Sequence, residues 1–78
     1  SKSTSSAAEQ RQAKKDLARI ERQISKIEEK LEVLAAEQKS AEFDADRLIA
    51  ITAEMSALSL EKEQREEEWL AATALLEG

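Results

Sequence analysis

The sequence predicts an all-α protein, a two-helix antiparallel coiled-coil hairpin. Three observations carry that prediction. Apolar residues recur in two heptad runs, from Ala13 to Leu34 and from Leu48 to Leu76, and the two phases do not join. The 78 residues contain no Pro and one Gly, at the very end, so the interior holds no strong helix breaker. Charged residues make up 37% and the aromatics are Phe43 and Trp69 alone. That composition, rich in Ala, Glu, Lys and Leu, belongs to long helices and leaves too few β-formers for a sheet.

A chain this short forms one domain at most and buries little surface, so it depends on very regular packing or on a partner. Residues 1–8 open on a Ser/Thr-rich stretch and read as a linker or cloning remnant, with the hairpin over 9–78. Ser6-Ala-Ala-Glu9 fits a capping box, in which the hydroxyl and the carboxylate each accept from the other residue's backbone N–H. The first helix is therefore expected over about 7–40. Its apolar positions are Ala13, Leu17, Ile20, Ile24, Ile27, Leu31 and Leu34, spaced 4, 3, 4, 3, 4, 3. That alternation is a coiled-coil seam, with Leu17, Ile24 and Leu31 at a and Ala13, Ile20, Ile27 and Leu34 at d.

The second run is Leu48, Ile51, Met55, Leu58, Lys62, Arg65, Trp69, Ala72 and Leu76, again spaced by threes and fours. Carrying the first frame forward would place Thr52, Ser59, Glu66 and Thr73 at a and strand Ile51 and Leu58 off the seam. The frame must restart, so a turn is expected at about 41–46 and a second helix at about 47–77. Asp44 or Asp46 is placed to cap that helix. Such a turn pairs residues whose numbers sum to about 89: Leu17 with Ala72, Ile20 with Trp69, Leu31 with Leu58, Leu34 with Met55. The stems of Lys62 and Arg65 then lie on Ile27 and Ile24 while their charges reach water. Each helix of about 32 residues makes a rod of roughly 48 Å at 1.5 Å per residue. Lys30 faces Glu61 in this register, whereas Glu21 with Glu66 and Glu37 with Glu54 are like-charged. Trp69 reads as seam packing in preference to a stacking platform. Phe43 reads as a plug for the end of the hairpin in preference to a binding tip.

With no His and no Cys, the chain lacks the usual acid/base group, nucleophile, metal ligand and disulfide. Its carboxylates fall on solvated helix faces, away from the burial that tunes catalytic groups. No enzyme activity, metal or cofactor is expected. No apolar run approaches the ~18 residues of a membrane span. No signal peptide is visible, which makes the cytoplasm the expected location.

Charge is unevenly spread. Residues 1–27 hold seven Lys/Arg against three Asp/Glu, while residues 28–78 hold five against fourteen. Within the first group Arg11, Lys15, Arg19, Arg22 and Lys26 are spaced 4, 4, 3, 4 and occupy heptad positions b, c and f, facing away from the second helix. They form a cationic stripe of ~22 Å. Its spacing suits nucleic-acid phosphates and suits an ordinary solvated face equally well. No aromatic residue interleaves it, so sequence-specific readout is not expected.

The order Lys14-Lys15-Asp16-Leu17, Ile20-Glu21-Arg22-Gln23-Ile24, Ile27-Glu28-Glu29-Lys30-Leu31, the turn Phe43-Asp44-Ala45-Asp46, then Glu66-Glu67-Glu68-Trp69-Leu70 resembles the C-terminal coiled-coil domain of ABC-F ATPases, the Uup-like soluble ABC proteins. The resemblance covers roughly residues 9–77 and extends to Leu75, Leu76 and Glu77. Lys62 stands where the family often has an apolar residue, and Arg47 where it often has Pro. The resemblance implies a cytoplasmic parent with two upstream ATP-binding cassettes, neither of them in this chain. It also implies contact with DNA, or with ribosomal RNA, since ABC-F proteins act on ribosomes. On that basis Arg11, Lys15, Arg19, Arg22 and Lys26 are the candidate phosphate contacts. The competing expectation is a structural hairpin that packs on its parent's cassettes or on a protein, through Glu61–Glu68 or Phe43. A monomeric hairpin is expected, with dimerisation through Ile49, Leu60, Leu70 and Leu75 as the alternative.

Overall fold

The structure, a computed structural model, describes residues 6–77. The linker reading of residues 1–5 lies outside them. Helix α1 runs Ala7–Ser40 and helix α2 runs Ala45–Glu77, packed against each other along a rod 61 × 17 × 13 Å. The fold is the expected all-α helical hairpin.

The α1 start follows from its capping box. The Ser6 hydroxyl accepts from the Glu9 N–H at 3.1 Å, and the Glu9 carboxylate accepts from the Ser6 N–H at 2.8 Å. Two of the donors that every helix N-terminus leaves open are thereby satisfied. Ala7 and Ala8, at the end of the expected linker, are already helical.

At the other end α1 stops at Ser40, and four residues, 41–44, make the turn. The Ala41 N–H still donates to the Glu37 carbonyl at 3.0 Å, and the Asp44 N–H donates to the Ala41 carbonyl at 2.8 Å. Asp44, not Asp46, caps α2: its carboxylate accepts from the Arg47 N–H at 3.1 Å. This is why α2 begins at Ala45, two residues earlier than expected; Asp46 falls in its first turn. No backbone position has a positive φ among the described residues, which explains how the turn does without Gly. Asp44→Ala is expected to cost about 1 kcal/mol. Thermal melts followed by circular dichroism check this, with a fall of roughly 4–8 °C for a chain of this size.

The seam is laid down as the heptads dictate. Ala13, Ile20, Ile27 and Leu34 are buried, and Ala41, seven residues beyond Leu34, extends the same d row into the turn. Leu17, Ile24 and Leu31, the a row, are only half-buried. Opposite them, Ile51 and Ala72 are buried and Leu48, Met55, Leu58, Lys62, Arg65, Trp69 and Leu76 half-buried. The tightest cluster joins Leu34, Ala41 and Ile51, with Leu48, Met55 and Leu58 packed on it. The core is therefore densest beside the turn.

One expectation fails here. Phe43 does not plug the hairpin; it is 95% exposed. Ala41, 2% exposed, fills that place because it continues the d row and is small enough for the gap between the converging helices.

Candidate nucleic-acid interface

The first turns of α1 set the interface. Because Ala13, Ile20 and Ile27 anchor one face of the helix on α2, positions b, c and f must point away. All five stripe residues, Arg11, Lys15, Arg19, Arg22 and Lys26, are exposed. Along the helix the stripe covers ~22 Å.

The local acids matter as much as the cations. Three fall in residues 1–27, and each has a partner. Glu9 is held in the capping box. The Asp16 carboxylate accepts from Gln12 Nε2 at 3.0 Å and lies 3.7 Å from Arg19 Nη2. The Glu21 carboxylate crosses to α2, where it accepts from Trp69 Nε1 at 2.9 Å. Among the stripe residues only Arg19 is engaged, with Asp16 and, through Nη1, with Gln23 Oε1 at 3.2 Å. Among the described residues Arg11, Lys15, Arg22 and Lys26 make no ion pair, so their charges are available to a ligand. Arg22 and Lys26 border a shallow depression whose remaining lining is Ala18, Glu21 and Ser25.

The opposite edge of the rod is acidic. Glu61, Glu63, Glu66, Glu67 and Glu68 are all exposed on α2. An overall charge of -5 therefore coexists with a basic edge. Ile49, Leu60, Leu70 and Leu75 are also exposed on α2, outside its seam.

Several expected pairs are re-sorted. Trp69 packs half-buried at the seam, as read, and it also donates to Glu21 across the helices. Lys62 Nζ reaches Glu28 at 3.1 Å rather than open water, and Arg65 pairs with Glu68 of its own helix at 2.9 Å. No Lys30–Glu61 ion pair forms among the described residues. The Gln38–Thr52 hydrogen bond, 3.5 Å, joins Trp69–Glu21 and Lys62–Glu28 in a register whose numbers sum to 90. In each of these three pairs a residue at a meets one at e across the helices. That adjacency was the signal available for the Trp69–Glu21 bond.

By fold and surface the chain is a two-helix antiparallel coiled coil with one basic and one acidic edge. Comparison with protein-family models, with characterised proteins and with solved structures found no match. No helix among the described residues is long and apolar enough to cross a membrane.

Proposed function

We propose that this hairpin is a non-enzymatic accessory element of a cytoplasmic ABC-F ATP-binding protein, and that it holds DNA or ribosomal RNA by its phosphates. The observation that carries the reading is the availability of charge. Glu9, Asp16 and Glu21, the acids interspersed with the stripe, each have a partner within the hairpin, while among the described residues four of the five cations make no ion pair. The ABC-F assignment rests on the residue resemblance alone. Recognition is of the backbone and not of bases, because Trp69 is occupied by Glu21 and Phe43 lies at the far tip. Without aromatic platforms, stacking on unpaired bases has no support here.

Fluorescence anisotropy against labelled duplex DNA, single-stranded DNA and a structured RNA tests this at two salt concentrations. With about four phosphate contacts, log K on duplex DNA should fall with log salt at a slope of roughly -3.6. Arg19→Glu with Arg22→Glu should weaken binding roughly tenfold or more and flatten that slope by about one, since Arg22 is one of the four available cations and Arg19 is already engaged by Asp16. Unchanged binding by the double variant would remove the stripe from the interface. The ligand bound best separates a DNA role from a ribosomal one.

The exposed Ile49 and Leu60 favour a second reading, in which α2 packs on the parent's cassettes. No binding of any nucleic acid at low salt would select it.

A further inference from the structure

The outward ridge of α1 does not end with the stripe. Beyond Lys26 it continues through Glu29, Val33, Ala36 and Ser40, at spacings of 3, 4, 3 and 4, and reaches Phe43 three residues later. Val33 is 57% and Phe43 95% exposed. The turn that carries Phe43 is held by backbone hydrogen bonds on both sides and by the Asp44 cap. Neither helix uses the ring for packing. A rigid turn that presents an aromatic ring to water, among Glu42, Asp44 and Asp46, is built like an anchor with an acidic collar.

The matching surface is on the same chain. Arg22 and Lys26 stand free of ion pairs beside the depression that includes Ala18 and Ser25. We propose that these two features are the halves of one self-association surface, on which two hairpins pair through the outward ridges of their α1 helices, antiparallel. In a register whose numbers sum to about 69, Lys26 faces the partner's Phe43, Glu29 faces the partner's Ser40 and Val33 faces the partner's Ala36. The two-fold axis then repeats every contact, as an isologous interface requires. The ammonium of Lys26 is drawn to the ring face. Glu29 and Glu32 bracket the partner's Lys39, and Arg22 reaches the acidic turn.

The charge order along the ridge argues for a second copy over an unrelated protein. It runs basic at 22 and 26, acidic at 28 and 29, basic at 30, acidic at 32, apolar at 33 and 36, acidic at 37, basic at 39, then acidic at 42, 44 and 46 before Arg47. Reversed, the flanks of the ridge bring Glu32 beside the partner's Lys39 on one side and Lys30 beside the partner's Glu37 on the other, and the Arg22 and Lys26 end meets the acidic turn. The apolar edge of α2 lacks this property. Pairing Ile49 with Leu60 across a two-fold would set Asp46 against Glu63.

The contact runs for ~32 Å but is one ridge wide, so it falls at or below the low end of specific interfaces and the dimer is weak. It covers Arg22 and Lys26. If the phosphate reading also holds, dimerisation and nucleic acid compete for the same cations.

Sedimentation equilibrium of the whole chain, without nucleic acid, tests the proposal from 10 µM to 1 mM, concentrations set at roughly the range of weak association. A reversible monomer–dimer equilibrium that weakens with salt is expected. Phe43→Ala should weaken it at least tenfold with the helical circular dichroism unchanged, since the ring packs on nothing. Lys26→Glu should do the same, and adding Glu42→Lys should restore association. Ile49→Ser with Leu60→Ser should leave it intact. A strict monomer at 1 mM and low salt would overturn the proposal. So would a dimer indifferent to Phe43→Ala, or one abolished by the α2 pair. Each of these outcomes leaves the phosphate reading to its own titration.

Discussion

Ile20→Ala is expected to lower the stability of the hairpin by about 3 kcal/mol, within the range for a buried isoleucine truncated to alanine. Ile20 is 2% exposed, the largest side chain buried to that degree. It sits near Glu21 and Trp69, whose hydrogen bond ties the far ends of the helices together at 2.9 Å. A cavity there removes apolar contacts and loosens the ring that the bond holds. A chain of 78 residues has a total stability of about 4–12 kcal/mol by the usual per-residue scale. A loss of that size is a large part of the whole. The melting temperature should fall by roughly 12–24 °C. The half-buried Leu17, truncated in the same way, should cost clearly less. Equal effects at the two positions would mean that the seam is not organised around its d row. The single Trp gives a second readout, because its fluorescence should change in the same transition as the circular dichroism if the hairpin unfolds as a unit.

How far the sequence reaches depends on where each fact is encoded. The seam is a periodicity, and a periodicity is local, so both heptad runs could be followed residue by residue. The start of α1 is also local: Ser6 and Glu9 lie three apart and close on each other. The existence of the turn followed from a phase break, and the a–e pairs that sum to 90 are those of the expected register, in which the adjoining a–d pairs sum to 89. What did not follow was the content of the turn. Whether Phe43 folds inward depends on how much room remains where two helices converge. Ala41 takes that room by continuing the d row one heptad past Leu34, a periodicity that runs into the turn but does not say which side chain the converging helices can hold. The choice between Asp44 and Asp46 as cap was open for the same reason. The stripe was legible as a face but not as available charge. That required knowing where Asp16 and Glu21 go, and Glu21 goes to a residue 48 positions away.

The opposite sign is expected when the two cationic seam residues are made apolar. Lys62→Leu with Arg65→Leu should stabilise the hairpin by about 2 kcal/mol, in line with replacing poorly satisfied charged groups by well-packed apolar ones. Lys62 reaches Glu28 at 3.1 Å, but its side chain is 30% and that of Glu28 51% exposed. Such a pair contributes between zero and about 1 kcal/mol. Arg65 contributes less across the seam, because its partner Glu68 is on its own helix. Its Nε is buried with no hydrogen-bond partner, a group that costs roughly 1–3 kcal/mol. Leucines at both positions would cover Ile24 and Ile27 without that penalty. The melting temperature should rise by roughly 8–16 °C, with most of the gain from Arg65→Leu alone. A fall instead would show that the Glu28 and Glu68 pairs outweigh desolvation. The gain should carry a cost in uniqueness. With both leucines in place, α2 has apolar seam residues from Leu48 to Leu76 without interruption, and shifted or intermolecular pairings lose the buried charge that now disfavours them. Sedimentation of the double variant should therefore show larger species than the native chain, and these should persist after Phe43→Ala. On this argument Lys62 and Arg65 give up stability to keep the two helices of one chain paired with each other, in one register.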